Sequence, residues 1–137
     1  SLFRRLESQG HRVGQGLVER YAPRPLTPTP LDAIKFLCKD LWPRTFRKPI
    51  DNLKTNHRGI FVLTDTRFQP LSRVSVDRRA GPRARDEAIA RAQLHLFFPC
   101  GIIRGVLSGL GIEATVSGDS SELPMATFQI KTAGAKQ

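Results

Sequence analysis

The clearest periodic pattern in the chain occupies residues 29–42. Its apolar positions recur three and four residues apart, which places them on one face of an α-helix: Leu31, Ile34, Leu37, Cys38 and Leu41. Thr29 is a favourable N-cap, Pro30 suits the first helical position, and Asp32 completes a Thr-x-x-Asp capping box. Because a proline ring clashes with the preceding helical turn, we expect this helix to end at Pro43.

A longer amphipathic pattern occupies residues 2–21. The apolar residues near one face are Leu6, Val13, Leu17 and Tyr21, with Leu2 and Val18 beside them. Glycine is about 1 kcal/mol less favourable than alanine in a helix. Gly10 and Gly14 are nevertheless four positions apart and share a face, so a second backbone could approach closely there. That backbone belongs either to a partner subunit or to another helix of the same chain, and the sequence favours neither.

The third predicted helix covers residues 86–110 and is interrupted by Pro99. We expect a kink at Pro99 or a helix that restarts there, because proline removes a backbone donor. In the second half, glycine recurs every four residues: Gly101, Gly105 and Gly109. This smooth face lies beside an apolar one, which predicts a core helix packed tightly on a sheet, and Gly111 is expected to end it.

Four segments have the patterns of β-strands. Residues 60–63 are apolar at every position, which is typical of a central strand covered on both faces. A weaker alternation predicts a second strand over residues 71–76. Residues 112–117 and 126–131 alternate apolar and polar side chains around a turn, so they are predicted to pair as a hairpin. Residues 49–55 are predicted to form a short helical turn.

Composition and charge indicate a single globular domain of 137 residues with a net charge of +10. Residues 1–91 carry 19 Lys/Arg against 9 Asp/Glu, whereas residues 92–137 carry three of each. Such a surplus favours an acidic partner: nucleic acid, anionic lipid or an acidic protein. A well-solvated surface with a disordered Arg-rich loop explains it equally well. Residues 77–85 contain four arginines without periodicity and are predicted to be a basic disordered insertion. The alternative, a nucleic-acid contact, lacks interleaved aromatic residues to stack on bases.

No pattern in the sequence indicates an active site. The three histidines, His11, His57 and His95, fall in different predicted elements, and no Walker loop, nucleophile elbow or metal-binding motif is present. Cys38 and Cys100 lie in apolar helical contexts and are interpreted as buried, reduced thiols. We therefore expect no enzymatic activity, no cofactor and no metal.

Several longer strings of residues carry a more specific pattern. They are Gly10-His-Arg-Val-Gly-Gln-Gly-Leu-Val-Glu-Arg20, Lys35-Phe-Leu-Cys-Lys-Asp-Leu-Trp42 and Asp51-Asn-Leu-Lys-Thr-Asn-His-Arg-Gly59. Phe98-Pro-Cys-Gly-Ile-Ile-Arg-Gly-Val-Leu107, followed by Leu110-Gly-Ile-Glu113, completes the set. In order and spacing, over about residues 6–131, these strings resemble the small subunits of the transport protein particle (TRAPP) complex, subunit 6 branch.

The resemblance implies a compact α+β domain over residues 1–137, with helices on one side of a small four-stranded antiparallel sheet. It implies a non-catalytic scaffold role in a complex that tethers transport vesicles and promotes nucleotide exchange on a Rab GTPase, in ER-to-Golgi and Golgi transport. The expected partners are a subunit 3 homologue, bound as a heterodimer, and other TRAPP subunits, with the Rab GTPase reached only through the assembled complex. The family's further N-terminal helix is expected to be absent or reduced here.

Two surfaces are predicted with the resemblance. The partner interface is predicted on the first helix, at Leu6, Val13, Leu17, Val18 and Tyr21. A basic surface facing Golgi membranes is predicted at Arg44, Arg47, Lys48, Arg78, Arg79, Arg83 and Arg85. The expected location is cytoplasmic, peripheral on cis-Golgi and ER-derived membranes. The lipid-bearing cysteine of the subunit 3 branch has no counterpart, so no acylation is expected. A basic RNA-binding adaptor is the alternative function, although no nucleic acid is expected on the main interpretation.

Overall fold

The computed structural model describes residues 1–22, 28–74 and 81–136. In chain order the elements are α1 (Leu2–Tyr21), α2 (Pro30–Phe36), a π-helical turn (Leu37–Leu41), α3 (Trp42–Phe46), β1 (Asn52–Thr55), β2 (Ile60–Asp65), a 3₁₀ turn (Gln69–Leu71), α4 (Gly81–Leu94), α5 (Phe97–Gly109), β3 (Ala114–Asp119) and β4 (Ala126–Thr132). The predicted helix over residues 2–21 is confirmed, and so is the hairpin of the last two strands.

The strands form one antiparallel sheet in the order β1-β2-β4-β3. Its covered face carries the buried side chains Phe61, Leu63, Phe128 and Ile130. The α+β class, with helices packed on a small four-stranded antiparallel sheet, is therefore confirmed. The prediction that β2 is covered on both faces is wrong, because Ile60 and Val62 point to the opposite face and are only partly buried.

One of the four strands differs from the sequence-based prediction. Residues 52–55, predicted as part of a helical turn, form β1 and pair with β2 from Asn52↔Thr64 to Thr55↔Phe61. The pairing prevails over weak local propensity because the ladder supplies hydrogen bonds and Leu53 packs against the core. The strand predicted over 71–76 is not found in its described part. Residues 71–74 continue a 3₁₀ turn instead, and residues 75–76 lie outside the described ranges.

Helix termination at Pro43 is also wrong. Helical structure continues through the π-helical turn into α3, whose first turn contains Pro43. In the π-helical turn the Trp42 N–H donates to the Leu37 carbonyl, five residues earlier. This wider turn lies where a proline ring would meet the carbonyl of residue i−4, so it accommodates the ring. The predicted cap at the other end is confirmed, since Thr29 Oγ1 accepts the Asp32 N–H at 3.3 Å.

The third helical region divides before Pro99 rather than at it. Helix α4 ends at Leu94, and Pro99 occupies the first turn of α5, where its missing N–H leaves no helical hydrogen bond unmade. Helix α4 begins at Gly81, so residues 81–85 of the predicted disordered insertion are helical. Residues 77–80 lie outside the described ranges. Gly111, with a φ of 81°, ends α5 as predicted.

Candidate functional site

Helices α1 and α5 contact each other through glycines on both helices. A Cβ atom added at Gly10 would lie 2.1 Å from the Phe98 carbonyl oxygen, and one added at Gly14 would lie 2.2 Å from that of Ile102. The contact is reciprocal. A Cβ at Gly101 would lie 2.0 Å from the Glu7 carbonyl oxygen, and one at Gly105 would lie 2.1 Å from that of His11. The two backbones therefore touch where neither helix has a side chain.

This glycine contact settles which backbone approaches Gly10 and Gly14. The approaching helix is α5 of the same chain, so the alternative of a partner helix on that face is excluded. Val18 belongs to the same contact, because it is 9% exposed and packs against Gly109. A residue enclosed between α1 and α5 cannot face a partner, and Val18 is therefore removed from the predicted partner interface.

An apolar stripe on α1 is left facing outward beside the glycine contact. We define the α1 stripe as Leu2, Leu6, Val13 and Leu17, which fall within about 60° of one another around the helix at 3.6 residues per turn. Leu2 is 52% and Val13 41% exposed, whereas Leu6 and Leu17 are half-buried. Exposed apolar side chains in register on one helix face are typical of a protein-interaction surface.

Tyr21 differs from the other residues predicted for the partner interface. Its ring is half-buried against the core, and the Arg44 guanidinium lies over it, with Arg44 Cζ 4.0 Å from the ring centroid. This geometry is that of a cation–π contact. Tyr21 therefore connects α1 to α3 within the chain, and of the five predicted interface residues Val13 is the most exposed.

The residues predicted to face a membrane are not equivalent in the structure. Lys48 forms ion pairs with Asp51 and Asp65, so its charge is neutralised within the fold. Arg44 stacks on Tyr21 but is exposed and keeps its charge. Arg47 and Arg85 are exposed, and Arg83 is exposed beside Glu87, 3.5 Å away. Arg78 and Arg79 lie outside the described residues.

Sequence reasoning missed a buried polar cluster around Asp65. This side chain has no exposed surface; its Oδ2 accepts the Trp42 Nε1–H at 3.0 Å, and its Oδ1 accepts Lys48 Nζ at 2.8 Å and the Arg67 N–H at 3.1 Å. The cluster fastens α3 to the end of β2 through Trp42, whose ring is tilted against that of Phe68 with their centroids 5.9 Å apart. Asp65 continues the alternation of Phe61 and Leu63, so its place on the covered face could have been found from the sequence.

Lys48 and Asp51 form the more exposed part of the same cluster, and their pKa values shift in opposite directions. The hydrogen bond from Lys48 lowers the pKa of Asp51, although burial opposes this, and hydrogen bonds from Thr66 assist it. Burial lowers the pKa of Lys48, but hydrogen bonds and charge from Asp51 and Asp65 outweigh it, so the net pKa is raised. The ion pairs are thus maintained at neutral pH and serve the fold.

Both cysteines are buried, as predicted, and burial raises the pKa of each thiol to about 12. Because the thiolate is the reactive form, we expect neither Cys38 nor Cys100 to react with iodoacetamide at pH 8 in the folded protein. Mass spectrometry should find no adduct after native treatment and two adducts after treatment in guanidinium chloride. Labelling of either thiol under native conditions would contradict this burial.

Within the described residues, no helix combines the length and apolar character needed to cross a bilayer.

Comparison with known proteins gives consistent matches in sequence and in fold. Residues 1–133 match the family model described as transport protein particle (TRAPP) component. The chain is 41% identical over 127 residues to trafficking protein particle complex subunit 6b of Danio rerio, covering 92% of this chain and 76% of that protein. It is 43% identical over 126 residues to trafficking protein particle complex subunit 6A of Bos taurus, covering 91% of this chain and 74% of that protein.

The fold is also similar to a solved structure. A crystal structure of trafficking protein particle complex subunit 3 from Naegleria fowleri, covalently bound to palmitic acid, aligns with a TM-score of 0.73 at 13% identity. The alignment covers 98% of this chain and 82% of that one. At this identity the likeness concerns the fold alone.

Proposed function

Because the chain belongs to the transport protein particle (TRAPP) component family, in its subunit 6 branch, we propose that it is a non-catalytic scaffold subunit of a TRAPP vesicle-tethering complex. It pairs with a subunit 3 homologue as a heterodimer. The assembled complex, with its other subunits, promotes nucleotide exchange on a Rab GTPase in ER-to-Golgi and Golgi transport. This chain contributes to that activity by holding the assembly together.

The observation that carries the proposal is the division of α1 into two faces. One face is occupied by α5 through the glycine contact, so α1 is held firmly in the domain. The other face exposes Leu2 and Val13, with Leu6 beside them. A rigid helix with an exposed apolar stripe suits docking of another subunit, since little conformational entropy is lost on binding.

The cellular location forms part of the same proposal. The subunit is cytoplasmic and reaches cis-Golgi and ER-derived membranes as part of the complex. Any direct membrane contact by the predicted basic residues depends on the exposed ones among those described, because Lys48 is paired with Asp51 and Asp65. These are Arg44, Arg47, Arg83 and Arg85. Anionic headgroups attract each nearby cation by about 1 kcal/mol.

Val13→Asp tests the docking face. We expect it to weaken binding of the subunit 3 homologue at least tenfold, because a charge would be buried in the apolar centre of the interface. Isothermal titration calorimetry measures this directly. Leu94→Asp is the matched control, since Leu94 is similarly exposed, at 44%, but lies on α4. Equal losses for the two variants, or none for Val13→Asp, would place the partner elsewhere.

A further inference from the structure

Two exposed arginines border the α1 stripe on the side away from α5, and a third lies in line with the stripe at its C-terminal end. We call Arg5, Arg12 and Arg20 the arginine rim. At 100° per residue, Arg20 falls within about 20° of Val13, whereas Arg5 and Arg12 lie about 60° to 100° to one side of Leu2 and Val13. The order around α1 is therefore Arg5 and Arg12, then the apolar stripe with Arg20 at its end, and then the glycine contact.

The charge of the rim is not neutralised by the fold in the parts of the chain that the structure describes. The ion pairs found there involve Lys48, Arg83 and Arg104, and none involves Arg5 or Arg12. Arg20 lies 5.5 Å from the ring centroid of Tyr21, which leaves its charge in place. Glu7, the half-buried carboxylate of α1, is turned towards α5 and pairs with Arg104 at 2.7 Å. Glu19 is the remaining acidic residue of the helix, against three rim cations.

We propose that the stripe and the arginine rim together form a docking surface for a partner helix face with an apolar centre and carboxylates along one edge. The inference rests on the proposed pairing and adds the chemistry of the partner. Apolar contact supplies most of the affinity, whereas the rim selects an acidic edge and fixes the orientation of the two helices.

The same rim disfavours a second copy of this chain on the stripe. In a two-fold dimer with antiparallel α1 helices, one edge of the stripe meets the same edge of the other copy. Arg5 and Arg12 of one copy would then lie along the same arginine edge of the other copy, which is repulsive. We therefore expect the chain alone to be a monomer at micromolar concentration, although its α1 stripe is exposed.

The test is a charge-reversal titration of the complex with the subunit 3 homologue. Arg5→Glu/Arg12→Glu should weaken binding about tenfold, because attractive pairs become repulsive ones. Raising the salt from 0.05 to 0.5 M should weaken the wild-type complex several-fold and the variant complex little. The matched control is Lys54→Glu/Lys131→Glu, which makes the same change in net charge at exposed positions on the uncovered face of the sheet.

Each result supports or overturns the inference. If both double variants lose affinity equally, net charge acts at long range and the rim has no specific role. If the complex forms but neither reversal nor salt changes its affinity, the rim inference fails while the proposed pairing stands. Absence of any wild-type complex contradicts both.

Two controls address other occupants of the stripe. Sedimentation velocity of the chain alone should show a monomer, and a dimer that Val13→Asp disperses would assign the stripe to a second copy. Binding of the chain to vesicles that contain phosphatidylserine should not depend on the rim. Loss of vesicle binding in Arg5→Glu/Arg12→Glu, with the heterodimer unaffected, would assign this face to a lipid surface and overturn the inference.

Discussion

Gly14→Leu is expected to destabilise the domain by about 3 kcal/mol or more, at the upper end of the cost of overpacking a core. Even the first added carbon would lie 2.2 Å from the Ile102 carbonyl oxygen and 2.8 Å from the Val106 nitrogen. Both are backbone atoms of α5, so no side chain can rotate away and the two helices must separate. Because small domains have about 5–15 kcal/mol of stability in total, urea denaturation followed by circular dichroism should show a large shift.

Gly16→Leu is the matched control for this prediction. Gly16 lies two residues further along the same helix, and a Cβ atom there would meet nothing within 4 Å. Leucine is a better helix former than glycine by about 0.5–1 kcal/mol. We therefore expect Gly16→Leu to be neutral or slightly stabilising. Similar free energies of unfolding for the two variants would contradict the direct contact between the α1 and α5 backbones.

The second large effect is that of Asp65→Ala, which is expected to lower the free energy of unfolding by about 3 kcal/mol. It removes the acceptor of the Trp42 indole N–H and of the Arg67 N–H, and it removes one of the two carboxylates paired with Lys48. Buried donors left without an acceptor incur their full desolvation cost. The free energy of unfolding from urea titrations at pH 7 measures the loss.

The control for Asp65 is Asp119→Ala, at the end of β3, where the side chain is exposed. We expect a change within about 0.5 kcal/mol there. A double-mutant cycle with Trp42→Phe, which removes the indole donor, separates the hydrogen bond from the cavity. A coupling free energy near zero between positions 42 and 65 would contradict the role given to this hydrogen bond.

The predictable part of the fold is the part decided by local pattern. The Thr29 cap, the length of α1 and the alternation of Ala126, Phe128 and Ile130 follow from residues close in sequence. The predictions that failed depend on partners distant in sequence. Asn52–Thr55 becomes a strand because β2 offers it a ladder, and Pro43 remains in a helix because a π-helical turn precedes it.

The candidate site shows the same limit. Glycines spaced four apart were visible on both α1 and α5, but the sequence does not state that the two sets face each other. When the two sets of glycines face each other, Val18 is buried between α1 and α5, whereas Val13 stays exposed to solvent. The predicted basic residues separate for a similar reason. Lys48 is paired with Asp65, 17 positions away in the sequence, and Arg44 stacks on the ring of Tyr21, whereas Arg47, Arg83 and Arg85 remain exposed.

The outward face of α1 is therefore the centre of the functional proposal, and native mass spectrometry tests it most directly. The chain should be co-expressed with the subunit 3 homologue of the same organism, as wild type and as Val13→Asp, and purified through a tag on the partner. We expect a 1:1 heterodimer with the wild-type chain and its loss with Val13→Asp. No wild-type heterodimer, or one that survives Val13→Asp unchanged, would contradict docking through α1.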